Sequence, residues 1–354
     1  MQPRELIALL RSPTAAHRIA AEHWNQILVQ GRQSLLLGQL AALLQRSGQL
    51  GQLLSPVRKL LELELLVAKR RGESAVWELG VMRRAIEPGV PVVVLKGCAY
   101  LVANDLNSAG RSFSDVDLLV EKTHLPQVEL ALVAAGWKPG VVDAYDARYY
   151  RDWMHEIPPM AHVRRHTVID LHYAINPPIS RFYVNPAALL AGLVPTESGV
   201  QVLAPLDRVI HCALHLIQEG ETPKLLRDLF DLHLLVAQHC GDRTGWAALA
   251  ARSQVLGVLG QVGAAVGAAQ HIFAPESQLE LRRHLPASGL VPVLVAASRQ
   301  PLGVGGVSGQ IAAWLLLAHS HWIKMPVHIL LPHLVRKWAK NLFKPKEKNA
   351  ETGV

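Results

Sequence analysis

The residues of this chain best suited to chemistry are two aspartates one residue apart, Asp115-Val116-Asp117, and a third within Val168-Ile169-Asp170-Leu171-His172. In an extended strand, side chains two apart share a face. Asp115 and Asp117 therefore point one way, while Val116 and Leu118 pack on the other. Asp170 sits in a similar apolar–acid–apolar setting, so its strand can lie beside the first. Three carboxylates on one sheet face repel unless a cation compensates them. Hard, oxygen-seeking Mg²⁺ suits that arrangement, bound by one or two carboxylates plus substrate phosphates. Two such ions can stabilise the attacking and leaving oxygens of an in-line phosphoryl displacement. A bare Asp-x-Asp fits the solvated face of an edge strand better. The context separates the two readings: Lys96-Gly97 follows a buried strand and precedes a short helix, where backbone N–H groups can meet a polyphosphate.

Histidines gather around the third aspartate at His155, His162, His166 and His172. Asp170 and His172 share a strand face, so His172 can touch a second substrate or orient a carboxylate; a structural histidine is the competing account. His211 and His215 stand one helical turn apart, with Asp207 a turn earlier. Without the Glu of a His-Glu-x-x-His motif they carry no hydrolase signature, and a polar seam facing the cleft is the expectation. Arg227 and Asp231 are spaced to pair on one helix.

These residues need a scaffold, and the elements that supply one are legible. Residues 1–88 read as helices, with apolar positions recurring at three and four. A β-branched run at residues 90–95 suits a buried strand, and residues 114–120 a second. A helix at residues 125–135 closes at Gly136. Strands at 137–142 and 168–175 extend the sheet, and Pro177-Pro178 ends it. Helices follow at 206–218, 224–239 and 246–272. The expected fold class is α+β, a small mixed β-sheet core flanked by N-terminal and C-terminal helical segments. Its expected divisions are residues 1–88, a core at 89–185, a helical domain at 186–300, and an apolar, basic segment at 301–354.

Composition narrows the setting. Half of the 354 residues are apolar and 18% are charged, which excludes a disordered chain. The net charge of +8 is unevenly spread: from Pro332 onward there are six Lys/Arg and two Glu. Basic charge is therefore poor support for nucleic-acid binding by the whole chain, and no DNA partner is expected. Cys98, Cys212 and Cys240 are widely spaced and lack a Cys-x-x-Cys pair, which points away from disulfides and zinc and toward a cytoplasmic setting. Residues 253–275 and 300–323 lack formal charge, but glutamines, glycines and a histidine interrupt them, so buried helices are expected rather than membrane spans. The tail mixes Trp322, Ile323, Trp338, Leu342 and Phe343 with Lys324, Arg336, Lys337, Lys340 and Lys344, a pattern suited to peripheral contact with an anionic membrane surface, to RNA, or to plain solvation. Pro326 and Pro332 are expected to prevent one continuous helix there.

The stretch VVVLKGCAYLVANDLNSAGRSFSDVDLLV resembles the core of the uncharacterised nucleotidyltransferase family within the DNA polymerase β-like superfamily. The matching features are Leu95-Lys96-Gly97, Arg111, Asp115 and Asp117. The likeness continues through Gly136-Trp137, residues 155–172 and Leu225-Leu226-Arg227-Asp228-Leu229-Phe230-Asp231. It implies a five-stranded mixed sheet that binds a nucleoside triphosphate, such as ATP, and two Mg²⁺ ions. Asp115 and Asp117 would be metal ligands, and Asp170 the third carboxylate, near the acceptor. Lys96, Gly97, Cys98, Arg111 and Arg227 would face the nucleotide, with His155, His172 and His215 on the acceptor side. The implied reaction transfers a nucleoside monophosphate to a small-molecule, protein or RNA acceptor and releases pyrophosphate. A nucleotide-binding or scaffold protein of the same fold without activity is the alternative. One departure stands out: the wider superfamily has Gly-Ser or Gly-Gly where this chain has Gly97-Cys98, and a thiol is a weaker donor than a hydroxyl.

Overall fold

A computed structural model describes residues 4–140, 143, 145, 148–303 and 305–342. The fold is mixed α+β. Its centre is a sheet of β1 (Val93–Val94), β2 (Asp115–Leu119), β3 (Trp137–Pro139), β4 (Met160–His162), β5 (Val168–His172), β6 (Val194–Pro195) and β7 (Gln201–Val202). The strand order is β3-β4-β5-β2-β1-β7-β6, with β2 parallel to β5, β1 parallel to β7, and the other pairs antiparallel. The sheet has seven strands among the described residues, against the five that the family resemblance implies. The additional strands are two or three residues long, too short for period-2 alternation to register.

Alternation along β2 and β5 divides the core. Val116, Leu118, Val120, Ile169 and Leu171 bury on one face, against Leu79 and Met82 of the long helix Ser55–Ala85 and Val128 and Leu132 of the helix Leu125–Ala134. Leu119 joins the other core, shared by the N-terminal helices and the helices Pro205–Glu219 and Thr222–His239. The aspartates lie on this second face. The helix Leu37–Arg46 closes on the loop that precedes β2 through backbone-to-backbone contact of Gly38 with Gly110, where a Cβ on either glycine would collide with the other's carbonyl.

One helical expectation changes. Residues 246–272 form two helices, Arg243–Val255 and Leu259–Phe273, because Gly257 adopts φ +70° and turns the chain. The tail is not one continuous helix: Pro326 separates Gly306–Lys324 from Val327–Leu342, and Pro332 lies inside the latter. Leu259–Phe273 is a buried helix, and its Gly263 and Gly267 admit Pro286 and Val291 to close contact. No helix among the described residues is long and apolar enough to cross a membrane. Residues 141 and 142 of the expected strand lie outside the described residues. So do the tail side chains of Lys337, Trp338, Lys340, Leu342, Phe343 and Lys344.

Candidate active site

Strands β2 and β5 run parallel with Asp117 registered directly against Asp170 and Asp115 against Val168. This places the three carboxylates on one sheet face, as the alternation requires. They line a cleft of about 660 Å³ between the sheet, the helix Pro205–Glu219 and the helix Thr222–His239. Lys96, Gly97, Arg111, Glu156, His211, His215 and Arg227 line it as well.

Lys96 begins the short helix Lys96–Val102 in the left-handed region, at φ +50°. Its ammonium reaches Asp117 Oδ1 at 2.7 Å. His172 Nε2 approaches the same oxygen at 3.0 Å. Burial opposes ionisation of Asp117, but Lys96 and the His172 hydrogen bond outweigh it and hold the carboxyl well below the usual carboxylate range. Asp170 is in the opposite state. Burial, with Asp117 and Glu156 nearby, pushes it up to about 6, and its buried Oδ1 makes no hydrogen bond. Asp115 is only partly buried and accepts from Ser114 Oγ at 3.3 Å.

The donor set fits a hard cation: three carboxylates, one of them with an orphaned buried oxygen. Among the described residues, the oxygens of Asp115, Asp117 and Asp170 are not all within 4.8 Å of one another.

The other expected residues fall into two groups. On the cleft, Arg111 is buried and donates from Nε to Asp231 Oδ2 at 2.7 Å, while Gln39 donates to Asp231 Oδ1 at 2.8 Å. Gly97 leaves room for the Arg111 guanidinium: a Cβ there would overlap Nη1 and lie 3.2 Å from Cζ. Arg227 pairs with neighbouring Asp228 at 2.7 Å, not with Asp231, because Asp231 is already taken from across the core. His211 is pushed down to about 3 by burial, Lys96 and His172, so its ring is neutral; burial and Lys96 hold His215 well below the usual histidine range. Asp207 pairs with Arg252 and takes no part in that seam.

Away from the cleft, the Cys98 thiol donates to the Asp115 carbonyl at 3.6 Å, and burial pushes it up to about 12. The side chain props the strand from behind, so the Gly97-Cys98 departure changes no group exposed to the cleft. His162 accepts from the backbone N–H groups of Arg164 and Arg165 and packs edge-on against Trp137, a structural role in the β4–β5 turn. His155 lies against His172, with ring centroids 5.2 Å apart.

Sequence reasoning passed over Glu156, Gln39 and Asp228. Glu156 forms an isolated antiparallel bridge with His172 and enters the cleft. Its position beside His155 is the one local signal that points to it. Gln39 carries no such signal, since its role depends on helix contacts remote in sequence.

Aspartates on paired strands, a lysine against one of them and a flanking helical wall make up the site of a nucleotidyltransferase-type fold. The chain belongs to an uncharacterised nucleotidyltransferase family, whose profile matches residues 20–274, well over half its length. Neither curated proteins nor solved structures yield a match.

Proposed function

We propose that this chain is a Mg²⁺-dependent nucleotidyltransferase that moves a nucleoside monophosphate from a nucleoside triphosphate to an acceptor hydroxyl or phosphate, releasing pyrophosphate. The observation that carries this reading is the pairing of Asp117 with Asp170 on adjacent parallel strands, with Asp115 on the same face of the cleft. Asp115, Asp117 and Asp170 would hold the metal, which when bound offsets the negative charge gathering on the phosphate oxygens. Lys96 supplies a fixed positive charge beside them. Asp170, whose carboxyl is raised to about 6 by burial in the absence of a cation, would stand nearest the acceptor and assist removal of its hydroxyl proton. The neutral rings of His211 and His215 line the opposing wall, where they can hydrogen-bond without adding charge. Arg111 and Arg227 are each tied to an aspartate, so they contribute mainly as fixed dipoles that position the wall.

Lys96 also favours a second reading, a nucleotide-binding protein without turnover. Its ammonium already occupies the position on Asp117 Oδ1 where a cation is needed. The two are separated by measuring triphosphate and Mg²⁺ binding, then pyrophosphate release with candidate acceptors. Release that disappears in Asp115→Asn and Asp117→Asn supports transfer. Tight, Mg²⁺-dependent binding without release for any acceptor supports the second reading, and absence of binding refutes both.

A further inference from the structure

Beside Asp117, at the margin of the cleft that Glu156 lines, lies a cluster that the transfer reaction does not use. His155, Glu156 and His172 present ligand atoms that all fall within 4.8 Å of one another. Two features show that these side chains are arranged for a ligand. His172 is 1% exposed, and its Nδ1 makes no hydrogen bond; Glu156 Oε2 is 3.3 Å away, but out of line for one. His155 Nδ1 is likewise buried without a partner. Leaving two imidazole nitrogens unsatisfied beside one carboxylate costs free energy unless something fills the gap.

We propose that His155, Glu156 and His172 form a binding site for a divalent transition-metal ion, with Zn²⁺ the best match to a two-imidazole, one-carboxylate set. Zn–N and Zn–O bonds of about 2.0–2.1 Å in a tetrahedron place neighbouring ligand atoms roughly 3.3 Å apart, the separation already present between His172 and Glu156. Three protein ligands leave a fourth position open. Imidazole nitrogens disfavour Mg²⁺, which prefers oxygen, so the site is distinct in chemistry from the aspartates. The backbone is fixed in advance: Tyr173 N–H donates to the His155 carbonyl at 2.8 Å, and Ile157 N–H to the Leu171 carbonyl at 3.0 Å. Glu156 also borders the cleft, which provides a route for entry.

The site reaches the aspartates through one ring. A metal on His172 Nδ1 requires the ring proton on Nε2, and Nε2 lies 3.0 Å from Asp117 Oδ1. Asp117 then orients the metal-binding histidine as a neighbouring carboxylate commonly does, and the ring cannot turn away from Asp117. The competing account is a His172 that bridges Asp117 and Glu156 through its two ring nitrogens with no metal.

The test uses the untagged full-length chain, stripped with a chelator and titrated with Zn²⁺ alone against a chromophoric competitor, then with Co²⁺ as a spectroscopic probe. The expected result is one equivalent of Zn²⁺ that millimolar Mg²⁺ does not displace, and a Co²⁺ absorption band of low-coordinate, nitrogen-ligated character. Affinity should fall at least about tenfold in Glu156→Gln and in His155→Gln, and about 10–100-fold in Asp117→Asn, but stay unchanged in Asp115→Asn. Glu156→Gln keeps the side-chain shape at a partly exposed position, and circular dichroism establishes that each variant is folded. Failure to take up stoichiometric Zn²⁺, displacement by Mg²⁺, or full retention by both Glu156→Gln and His155→Gln overturns the proposal. None of these readouts depends on nucleotide turnover, so the result stands apart from the assignment of transferase activity.

Discussion

Gly97→Ala tests how the turn into the helix Lys96–Val102 is built. Gly97 lies in the first turn of Lys96–Val102 with an ordinary helical backbone, so propensity alone predicts that alanine stabilises the protein, by up to about 1 kcal/mol. The packing predicts the reverse. The added methyl would overlap Arg111 Nη1, approach Cζ at 3.2 Å and meet the Phe113 ring at 3.3 Å. The guanidinium has little freedom to yield, being buried, fixed to Asp231 at 2.7 Å and set over the Tyr100 ring with Cζ 5.5 Å from its centroid. Separating a buried pair costs about 3–5 kcal/mol, because a charge is left uncompensated. The net expectation is a loss of about 2–4 kcal/mol, read as a lower guanidinium chloride midpoint with an unchanged slope. Repeating the substitution in an Arg111→Ala/Asp231→Asn background removes the guanidinium while Asn can keep the Gln39 hydrogen bond. There Gly97→Ala should be neutral or mildly stabilising. An unchanged or higher midpoint in the parent protein refutes the steric argument, and so does an equal loss in both backgrounds.

Asp170 makes stability fall with pH. Its folded value near 6 exceeds the ordinary 3.8, so its contribution is fully present below about pH 4 and lost as pH rises through 6. Asp170→Asn should flatten that slope in urea unfolding between pH 4 and 6.5, and a wild-type-minus-variant difference independent of pH contradicts the assignment. Lys96→Met leaves buried Asp117 with His172 as its remaining partner; it should cost about 3–5 kcal/mol in unfolding experiments without Mg²⁺ and less with millimolar Mg²⁺. Arg208 clasps Asp105 through Nε and Nη2, both at 2.8 Å, far from the cleft chemistry. Arg208→Lys loses the fork and should lower stability by about 2 kcal/mol while triphosphate affinity, measured by calorimetry, stays within twofold.

The acidic face was readable from the chain because it rests on a local rule. Alternation over Asp115-Val116-Asp117-Leu118 and Val168-Ile169-Asp170-Leu171 assigns each side chain to a face, and burying Val116, Leu118, Ile169 and Leu171 together leaves the aspartates one place to go. What could not be read was who neutralises whom. Spacing favoured Arg227 for Asp231, yet Asp231 meets Arg111, 120 residues earlier, and Gln39, 192 residues earlier. Such partnerships follow from how helices of the shared core settle against the sheet, which no local period encodes. The short strands β4, β6 and β7 escaped notice for a related reason: they exist because an edge beside them needs hydrogen bonds, not because their own residues prefer extension.

Tracing those partners changes the meaning of the charges in the cleft. Arg111 and Arg227 are committed to Asp231 and Asp228, and Lys96 to Asp117. The demand for a cation is therefore not spread over three aspartates equally. It falls on Asp115 and on Asp170, the latter held near 6 chiefly by burial and carrying the buried oxygen without a partner. Asp117 is already satisfied and acts as the hinge between Lys96 on one side and His172 on the other. On the proposed reading, Asp115 and Asp170 would hold a divalent ion together with the Asp117 oxygen that Lys96 does not already occupy. On that reading Lys96, which neutralises Asp117 in the absence of a cation, would be the group available to a triphosphate once a cation takes over that task.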